Sequence, residues 1–245
     1  MKGHLPINKH RSIFSNNTLM RLLCLSSITV LVGLVAADGA GEVMHVQVAN
    51  EKDLTDAIDK AVYCPLLIID VLADIQLSKS LVIFGQYNPF TWIRGGGHKF
   101  EMVGSSTNDG MVTKKRCFQI TNYAHMNISN LIITGGHTLY TGSSPMGGGA
   151  IQIDSSTLHL VNCEFRNNQA EEISGGAVYA ANSQINIIGC TFVYNIASSP
   201  EGSIAGSNGG AMFLSGSKAT IDSSTFDSNR CFYKGGATKG GGKAE

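Results

Sequence analysis

The sequence predicts an all-β protein that folds as a parallel β-helix behind one short helix. The chain of 245 residues contains 29 glycines and 5 prolines, and a Gly-Gly-Ala motif recurs in it at intervals of 26 to 34 residues. Within each copy, apolar and polar residues alternate, which is typical of strands with one buried face. Hydrophobic residues make up 43% of the chain and charged residues 15%, so we expect one folded domain with a sizeable core.

Residues 1–37 are predicted to be a signal peptide or a signal anchor. Four basic residues and no acid precede residue 38, and the uncharged run at 22–37 is shorter than the roughly 20 residues of a membrane-spanning helix. Small residues at its end favour cleavage after Ala37, but an uncleaved run, extended back to Leu19, would anchor the chain in a membrane. In either case we expect a secreted or cell-surface protein whose only membrane contact is this segment.

Charge and cysteine content exclude several classes of function. The 18 basic residues balance the 18 acidic ones, which argues against a nucleic-acid-binding protein. Beyond the leader, cysteines occur at positions 64, 117, 163, 190 and 231, so at least one thiol has no partner within the chain. Because there is no Cys-x-x-Cys pair, zinc is not expected, and we predict no metal ligand, no cofactor and no catalytic residue.

Residues 38–64 are predicted to form an N-terminal cap that contains the amphipathic helix. Asn50 is the expected N-cap, and Glu51 and Asp53 lie in the first turn, where acids interact favourably with the helix dipole. An apolar stripe follows at helical spacing, and Pro65 ends the helix. The stripe consists of Leu54, Ala57, Ile58, Ala61 and Val62.

Residues 65–237 are predicted to form the β-helix. It begins with apolar runs of strand length, at 66–71, 75–77, 81–84 and 92–93, separated by polar or glycine-containing breaks. The glycines at 95–97 indicate a turn, since they lack the spacing of a phosphate-binding loop.

An internal repeat, recognisable from about residue 117, is the strongest indication of the fold in the sequence. Fifteen residues after the alanine of each of the first three Gly-Gly-Ala motifs comes a phenylalanine, and three residues later an asparagine. The three copies consist of Gly148, Gly149, Ala150, Phe165 and Asn168; Gly175, Gly176, Ala177, Phe192 and Asn195; and Gly209, Gly210, Ala211, Phe226 and Asn229. A fourth Gly-Gly-Ala occurs at 235–237, and a degenerate copy spans 117–133.

Aligning the copies on the alanine predicts three short strands in each unit. Because no unit contains a crossover helix, the strands can bury their inner faces only if each pairs with its equivalent in the next unit. The interval between the asparagine and the next Gly-Gly-Ala varies, so we expect a loop there, the longest at 197–207. The degenerate copy is offset by one residue at its start, which suggests a bulge or an imperfect alignment.

The repeated residues have mechanical explanations. The glycines allow positive φ at a corner, the phenylalanines should stack at about 4.8 Å, and the asparagines should form a hydrogen-bonded ladder at a turn. Asn130 and Asn162 are candidates for a second, shorter ladder. Cys163 and Cys190 fill the same slot of adjacent units, but stacked parallel strands point their Cβ atoms the same way, so we predict two reduced thiols.

The Gly-Gly-Ala and Phe-x-x-Asn repeat resembles that of the chlamydial polymorphic outer membrane proteins. More broadly, the chain resembles the right-handed parallel β-helices of the pectin-lyase-like superfamily, over about residues 117–237, and the helix at Asn50 is similar to the cap of such solenoids. In the family pattern Ile, Leu or Val follows the alanine, but Met212 and Thr238 fill two of the four positions here. The resemblance implies a surface-displayed, adhesin-like scaffold.

The predicted function is a non-catalytic binding scaffold for an unknown surface ligand, a glycan or a protein. We expect the ligand to contact a sheet face together with the 197–207 loop. The alternative is a polysaccharide lyase or glycoside hydrolase, in which carboxylates should stack in adjacent units. In the alignment no second acid matches Asp154, Asp222 or Asp227, so binding without catalysis is favoured.

Other polar residues give weaker site candidates. Asp70 and Asp74 could combine with Arg94 and His98 from a neighbouring strand, although isolated charges on such a fold are usually solvated. Four histidines at positions 98, 125, 137 and 159 occur about one per unit and are not expected to converge on a metal ion. Asn127 begins a glycosylation sequon on a predicted strand, which applies only if the source is eukaryotic.

Residues 238–245 are predicted to be a flexible tail that follows a truncated solenoid. The fourth Gly-Gly-Ala should open a new unit that the remaining residues do not complete. Unpaired strand edges and an open core end would then dock on a partner or on a second copy of the chain.

Overall fold

The computed structural model is an all-β structure with one helix in the part of the chain that it describes. The described residues are 33–35, 43–62, 64–87, 90–103, 105–106, 112–113, 115–139, 147–199, 207–233 and 236–238. The helix is α1 (Glu51–Lys60), and nearly all strand pairs are parallel.

The strands form four main sheets, which we name A to D. Sheet A contains β1 (Gly33–Val35), β2 (Val43–Val48), β3 (Leu66–Val71), β6 (Phe90–Arg94), β11 (His125–Ser129), β15 (Thr157–Val161), β19 (Gln184–Ile188) and β23 (Lys218–Asp222). Sheet B contains β4 (Ile75–Leu77), β7 (Lys99–Met102), β12 (Ile132–Thr134), β16 (Glu164–Arg166), β20 (Thr191–Val193) and β24 (Thr225–Asp227). Sheet C contains β5 (Leu81–Phe84), β10 (Phe118–Thr121), β14 (Ile151–Asp154), β18 (Val178–Ala181) and β22 (Met212–Ser215). Sheet D contains β13 (His137–Leu139), β17 (Gln169–Glu171), β21 (Ile196–Ser198), β25 (Arg230–Tyr233) and β26 (Gly236–Thr238). A separate hairpin joins β8 (Ser105–Ser106) to β9 (Val112–Thr113).

The chain visits the sheets in the order C, A, B, D in four successive units, at 118–139, 151–171, 178–198 and 212–233. Each strand pairs in parallel with its equivalents in the units before and after it. Ile151 of β14, for example, lies opposite Phe118 of β10 and Val178 of β18. The predicted parallel pairing between units is therefore confirmed, and the arrangement fits a parallel β-helix.

Each unit has four strands, so the prediction of three is wrong. The additional strand belongs to sheet D and falls in the interval that was predicted to be a loop. In the third unit it is β21, which takes up residues 196–198, and residues 200–206 of the predicted loop lie outside the described part of the chain. The sequence does not predict the D strands because each is only three or four residues long. In β17, for example, the single buried residue is the small Ala170.

The two glycines of each motif have different tasks. The first adopts a left-handed conformation, with φ of 85° at Gly148 and 76° at Gly175, as predicted for glycines at a sharp corner. The second has ordinary φ but lies against the next unit, because a Cβ atom on Gly149 would clash with the carbonyl oxygen of Gly176. The alanine that follows is fully buried at Ala150 and Ala177.

The offset of the first unit arises in a corner and not in a bulge within a strand. Phe118 lies opposite Ile151, and Met126 lies opposite Leu158, so the first unit has one extra residue between its C and A strands. Both Asn122 and its neighbour Tyr123 take positive φ there, whereas the next unit uses Ser155 alone.

The phenylalanine stack runs through the core as predicted. The rings of Phe165 and Phe192 are 4.7 Å apart at an interplanar angle of 4°, and those of Phe192 and Phe226 are 4.7 Å apart at 1°. The first two rings are fully buried. Parallel stacking of the rings at this spacing follows directly from the in-register pairing of β16, β20 and β24.

The predicted asparagine ladder is also present. The backbone N–H and side-chain amide of Asn168 both donate to Oδ1 of Asn195, at 3.1 and 3.0 Å, and Asn195 donates in the same way to Asn229. Each side-chain amide also donates to a backbone carbonyl of the preceding unit, such as that of Phe165 for Asn195. All three asparagines are buried, so these bonds satisfy polar groups that would otherwise be costly to bury.

The helix confirms the predicted N-cap and most of the buried stripe, but it ends at Lys60 and not just before Pro65 as predicted. The Asn50 side chain accepts a hydrogen bond from the N–H of Asp53, and Leu54, Ala57, Ile58 and Ala61 are buried. The prediction that Val62 belongs to the buried stripe is wrong, because the helix ends at Lys60 and the valine is 42% exposed. α1 contacts β2, β3 and β4.

The last unit is more exposed than the units before it. Leu214 of β22 is 38% exposed, whereas Ala180, which precedes it in register, is fully buried. The fourth Gly-Gly-Ala does not start a new unit. Its strand β26 turns back and pairs antiparallel with β25, which gives that strand a partner on its outer edge.

Most of the predicted signal segment and residues 239–245 of the predicted tail lie outside the described residues. Gly33–Val35, from the end of the apolar run, forms β1 and pairs antiparallel with β2. No helix among the described residues is long and apolar enough to cross a membrane.

We expect Phe192→Ala to lower the free energy of unfolding by about 3–5 kcal/mol, because it opens a cavity between two stacked rings. Tyr194→Ala is the matched control, since Tyr194 lies two residues away and is 55% exposed. Chemical denaturation of both variants measures the difference. Equal unfolding midpoints for the two would show that the phenylalanine stack does not support the core.

Candidate functional site

The outer face of sheet A carries an ordered array of exposed and partly exposed side chains. Successive residues of a strand point to opposite faces, so every second residue faces outward while its neighbours are buried. In register from β6 to β23, the outward residues form three rows: Phe90, His125, Thr157, Gln184 and Lys218; Trp92, Asn127, His159, Asn186 and Thr220; and Arg94, Ser129, Val161, Ile188 and Asp222. We call this array the sheet A face.

Aromatic rings occupy the N-terminal part of the sheet A face. Phe90 is 50% exposed, and its ring stacks on the imidazole of His125 at a centroid distance of 4.7 Å. Trp92 is 37% exposed, with the Arg94 guanidinium 5.5 Å from its ring centroid. Flat apolar surfaces with polar edges are suited to stacking against a ligand.

A groove of about 570 Å³ runs beside this face, along the corner between sheets C and A. We call it the corner groove. It is lined by Tyr123, His125, Ser155, Ser156, Thr157, Asn182, Ser183, Gln184, Gly216 and Lys218. Four successive units thus contribute equivalent residues, and the lining combines hydroxyl and amide groups with one tyrosine, one histidine and one lysine.

A serine ladder holds the corner beneath this groove. Ser156, Ser183 and Ser217 occupy equivalent positions in successive units. The N–H of Ser156 donates to Oγ of Ser183 at 3.2 Å, and the N–H of Ser183 donates to Oγ of Ser217 at 2.9 Å. Each hydroxyl also donates to the carbonyl two residues earlier in its own unit. Sequence analysis missed this ladder, although a serine at the same place in three copies was the available signal.

The groove corner turns through left-handed residues. Tyr123, Ser155, Asn182 and Gly216 all have positive φ, between 48° and 63°. Asn, Ser and Gly are common in such corners, but a bulky residue there is unusual. Tyr123 is 79% exposed, so this corner presents an aromatic side chain to solvent at one end of the groove.

The predicted group of Asp70, Asp74, Arg94 and His98 separates into two pairs. The Asp70 carboxylate accepts hydrogen bonds from Nε and Nη2 of Arg94, at 2.5 and 2.7 Å. Asp74 lies near His98, with 3.6 Å between Oδ1 and Nδ1, and accepts from the backbone N–H of Lys99. The first pair forms because β3 and β6 pair in register and set Asp70 opposite Arg94.

His45 joins the first pair, and sequence analysis did not find it. Its Nε2 lies 2.8 Å from Oδ2 of Asp70 and 2.7 Å from Nη2 of Arg94. Both charged partners of this cluster are thus engaged with each other, which suits a structural ion pair better than a free acid or base.

The register confirms that the acids of the repeat units do not align. Asp154 lies opposite Ala181, Asp222 opposite Ile188 and Asp227 opposite Val193.

The other candidate residues are dispersed. Among the described residues, no group of three or more His, Cys, Asp or Glu side chains is placed to hold a metal ion. His137 bonds to Glu171 on sheet D at 2.9 Å, whereas His125 and His159 lie on strands of sheet A. Asn127 lies exposed on β11, so the sequon does fall on a strand as predicted. Asn130 and Asn162 share positive φ at the corner between sheets A and B.

Comparison of the chain with protein-family models, with curated proteins and with solved structures gives no match.

Because Asp70 forms an ion pair with Arg94, we expect the stability of the fold to depend on pH. Partial burial alone would raise the pKa of Asp70, but hydrogen bonds from Arg94 and His45 outweigh it and hold this pKa below its usual range. A lowered carboxyl pKa stabilises the fold above the unfolded-state value of about 3.9 and loses that contribution as the pH falls below it.

We therefore expect Asp70→Asn to be less stable than the unchanged chain at pH 7, with the difference shrinking as the pH falls through about 4. Thermal unfolding between pH 7 and pH 3 measures this. Asp154→Asn serves as the control, since Asp154 bonds to the Ser155 hydroxyl and not to a cation. A difference that stays constant across the series would contradict the ion-pair explanation.

Proposed function

We propose that this chain is an exported, non-catalytic binding scaffold, built as a right-handed parallel β-helix of the pectin-lyase-like kind and capped by α1 at its N-terminal end. Display on the cell surface or secretion, and an adhesin-like role, follow from the predicted signal segment and the repeat. The supporting observation is the combination of the sheet A face and the corner groove, which present exposed aromatic, amide and hydroxyl groups at a regular spacing.

A glycan suits this surface better than a peptide strand does. From β6 to β19 the backbone groups of sheet A pair with a strand on each side, so this part of the face offers no strand edge for an added peptide. Side-chain hydroxyls and amides recur about every 4.8 Å along the axis, a distance similar to the length of one pyranose unit in an extended glycan. Tyr123 and the Phe90–His125 stack supply apolar faces for sugar rings.

The enzyme alternative is less well supported. A glycoside hydrolase needs two carboxylates that flank the scissile bond, and a lyase needs a calcium site with a nearby base. The acids of the repeat units lie beside Ala, Ile and Val, and Asp70 is held by Arg94.

The binding proposal is tested with a glycan array and with whole-cell binding, using the full chain. We expect Tyr123→Ala and Gln184→Ala to weaken binding by about tenfold each, equivalent to 1.4 kcal/mol, because each removes a group that lines the groove. Tyr194→Ala is the matched control, since it also replaces an exposed tyrosine with positive φ, but at the corner between sheets B and D.

Two outcomes would contradict the proposal. Equal loss of binding in the Tyr123 and Tyr194 variants would show that the groove is not the site. Depolymerisation of polygalacturonate that requires calcium and stops on chelation would establish the enzyme alternative instead.

We also propose self-association at the exposed last unit. Leu214 and the partly buried Ile221 lie at the free edge of the core there. Leu214→Lys should reduce the associated fraction in sedimentation velocity over a concentration series. Ile188→Lys is the control, because Ile188 is also 38% exposed but lies on the sheet A face. A monomer at every concentration would overturn this proposal without affecting the binding proposal.

A further inference from the structure

Two cysteines are stacked at the corner between sheets A and B. Val161 pairs with Ile188, and Glu164 pairs with Thr191, so Cys163 and Cys190 occupy the same slot between these strands in adjacent units. Both are 2% exposed or less. The N–H of Cys163 donates to Sγ of Cys190 at 3.4 Å.

At the corner between sheets A and B, the two cysteine side chains make the same kinds of contact that serine hydroxyls make in the ladder between sheets C and A. The N–H of Cys190 donates to Oγ of Ser224 at 3.0 Å, and the Ser224 hydroxyl donates to the carbonyl of Asp222 two residues earlier. The two thiols contact the carbonyls two residues earlier in the same way, at 3.4 Å each. Because serine fills this slot in the next unit, the fold does not require sulfur at either position.

The direction of the side chains disfavours a disulfide, and the spacing of the two positions suits a bridging ion. The rings of Phe165 and Phe192, two residues beyond the cysteines, are 4.7 Å apart, which measures the local distance between the units. A disulfide tolerates this separation of Cα atoms, but it needs the sulfur atoms about 2.05 Å apart, and stacked parallel strands point both Cβ atoms the same way. Two metal–thiolate bonds in a line, at the roughly 2.3 Å of a Zn–S bond, span about 4.6 Å.

We propose that Cys163 and Cys190 form a two-coordinate site for a soft monovalent ion, with Cu⁺ as the ion of this class. Thiolate ligands select Cu⁺ over harder cations. Binding releases both thiol protons to solvent and forms one anionic bis-thiolate complex, with no change of oxidation state. The N–H of Cys163, which already points at Sγ of Cys190, stabilises the thiolate there.

The site is tested with Ag⁺, a redox-inert analogue, and with Cu⁺ under anaerobic conditions. The parent for this test is the full chain with Cys24, Cys64 and Cys231 changed to serine, which leaves Cys117 as an isolated third thiol. Native mass spectrometry should find one ion per chain in the parent and in Cys117→Ser. Cys163→Ser and Cys190→Ser should each lose it.

X-ray absorption on the Cu⁺-loaded parent tests the site with both proposed ligands in place. We expect two sulfur ligands in a linear arrangement. Three or more ligands, nitrogen or oxygen ligation, or an ion retained by Cys163→Ser or Cys190→Ser would overturn the proposal. A disulfide between Cys163 and Cys190 in protein purified without reductant would overturn it as well. None of these outcomes bears on glycan binding.

Discussion

In-register parallel pairing between successive units is the constraint on which the rest of this structure depends. Each residue of a unit lies opposite its equivalent in the next, and the phenylalanine rings show the resulting distance of 4.7 Å. A side chain that suits one unit must therefore also suit its own copy stacked above it. This explains why flat aromatic rings and amides recur at fixed positions, since they interact favourably with copies of themselves at this distance.

The corners carry the polar part of the same constraint. A chain that turns between short strands leaves N–H groups without a partner in its own strand, and burial makes such groups costly. Three side-chain ladders satisfy them: serines between sheets C and A, cysteines and a serine between A and B, and asparagines between B and D. Left-handed residues such as Asn162 and Asn182 supply the change of direction.

The same stacking shapes what the surface can do. Backbone groups are used within the sheets, so recognition falls to side chains that repeat along the axis. Acids in neighbouring units are not aligned, whereas hydroxyl, amide and aromatic side chains of different kinds follow one another along the sheet A face and the corner groove. A surface of this composition is better suited to holding an extended ligand than to transferring protons.

The sequence by itself determined the strands at 66–71, 75–77 and 81–84, the strands of sheets A, B and C in the repeat units, the phenylalanine stack and the asparagine ladder, because a constant spacing between identical residues leaves one way to bury them together. It did not reveal the D strands, which are too short to show a period. Only the tertiary structure decided the corner groove, which joins residues of four units, and the return of β26 onto β25. His45 likewise reaches Asp70 and Arg94 only through the pairing of three strands, and no local pattern records contacts between residues so far apart in the chain.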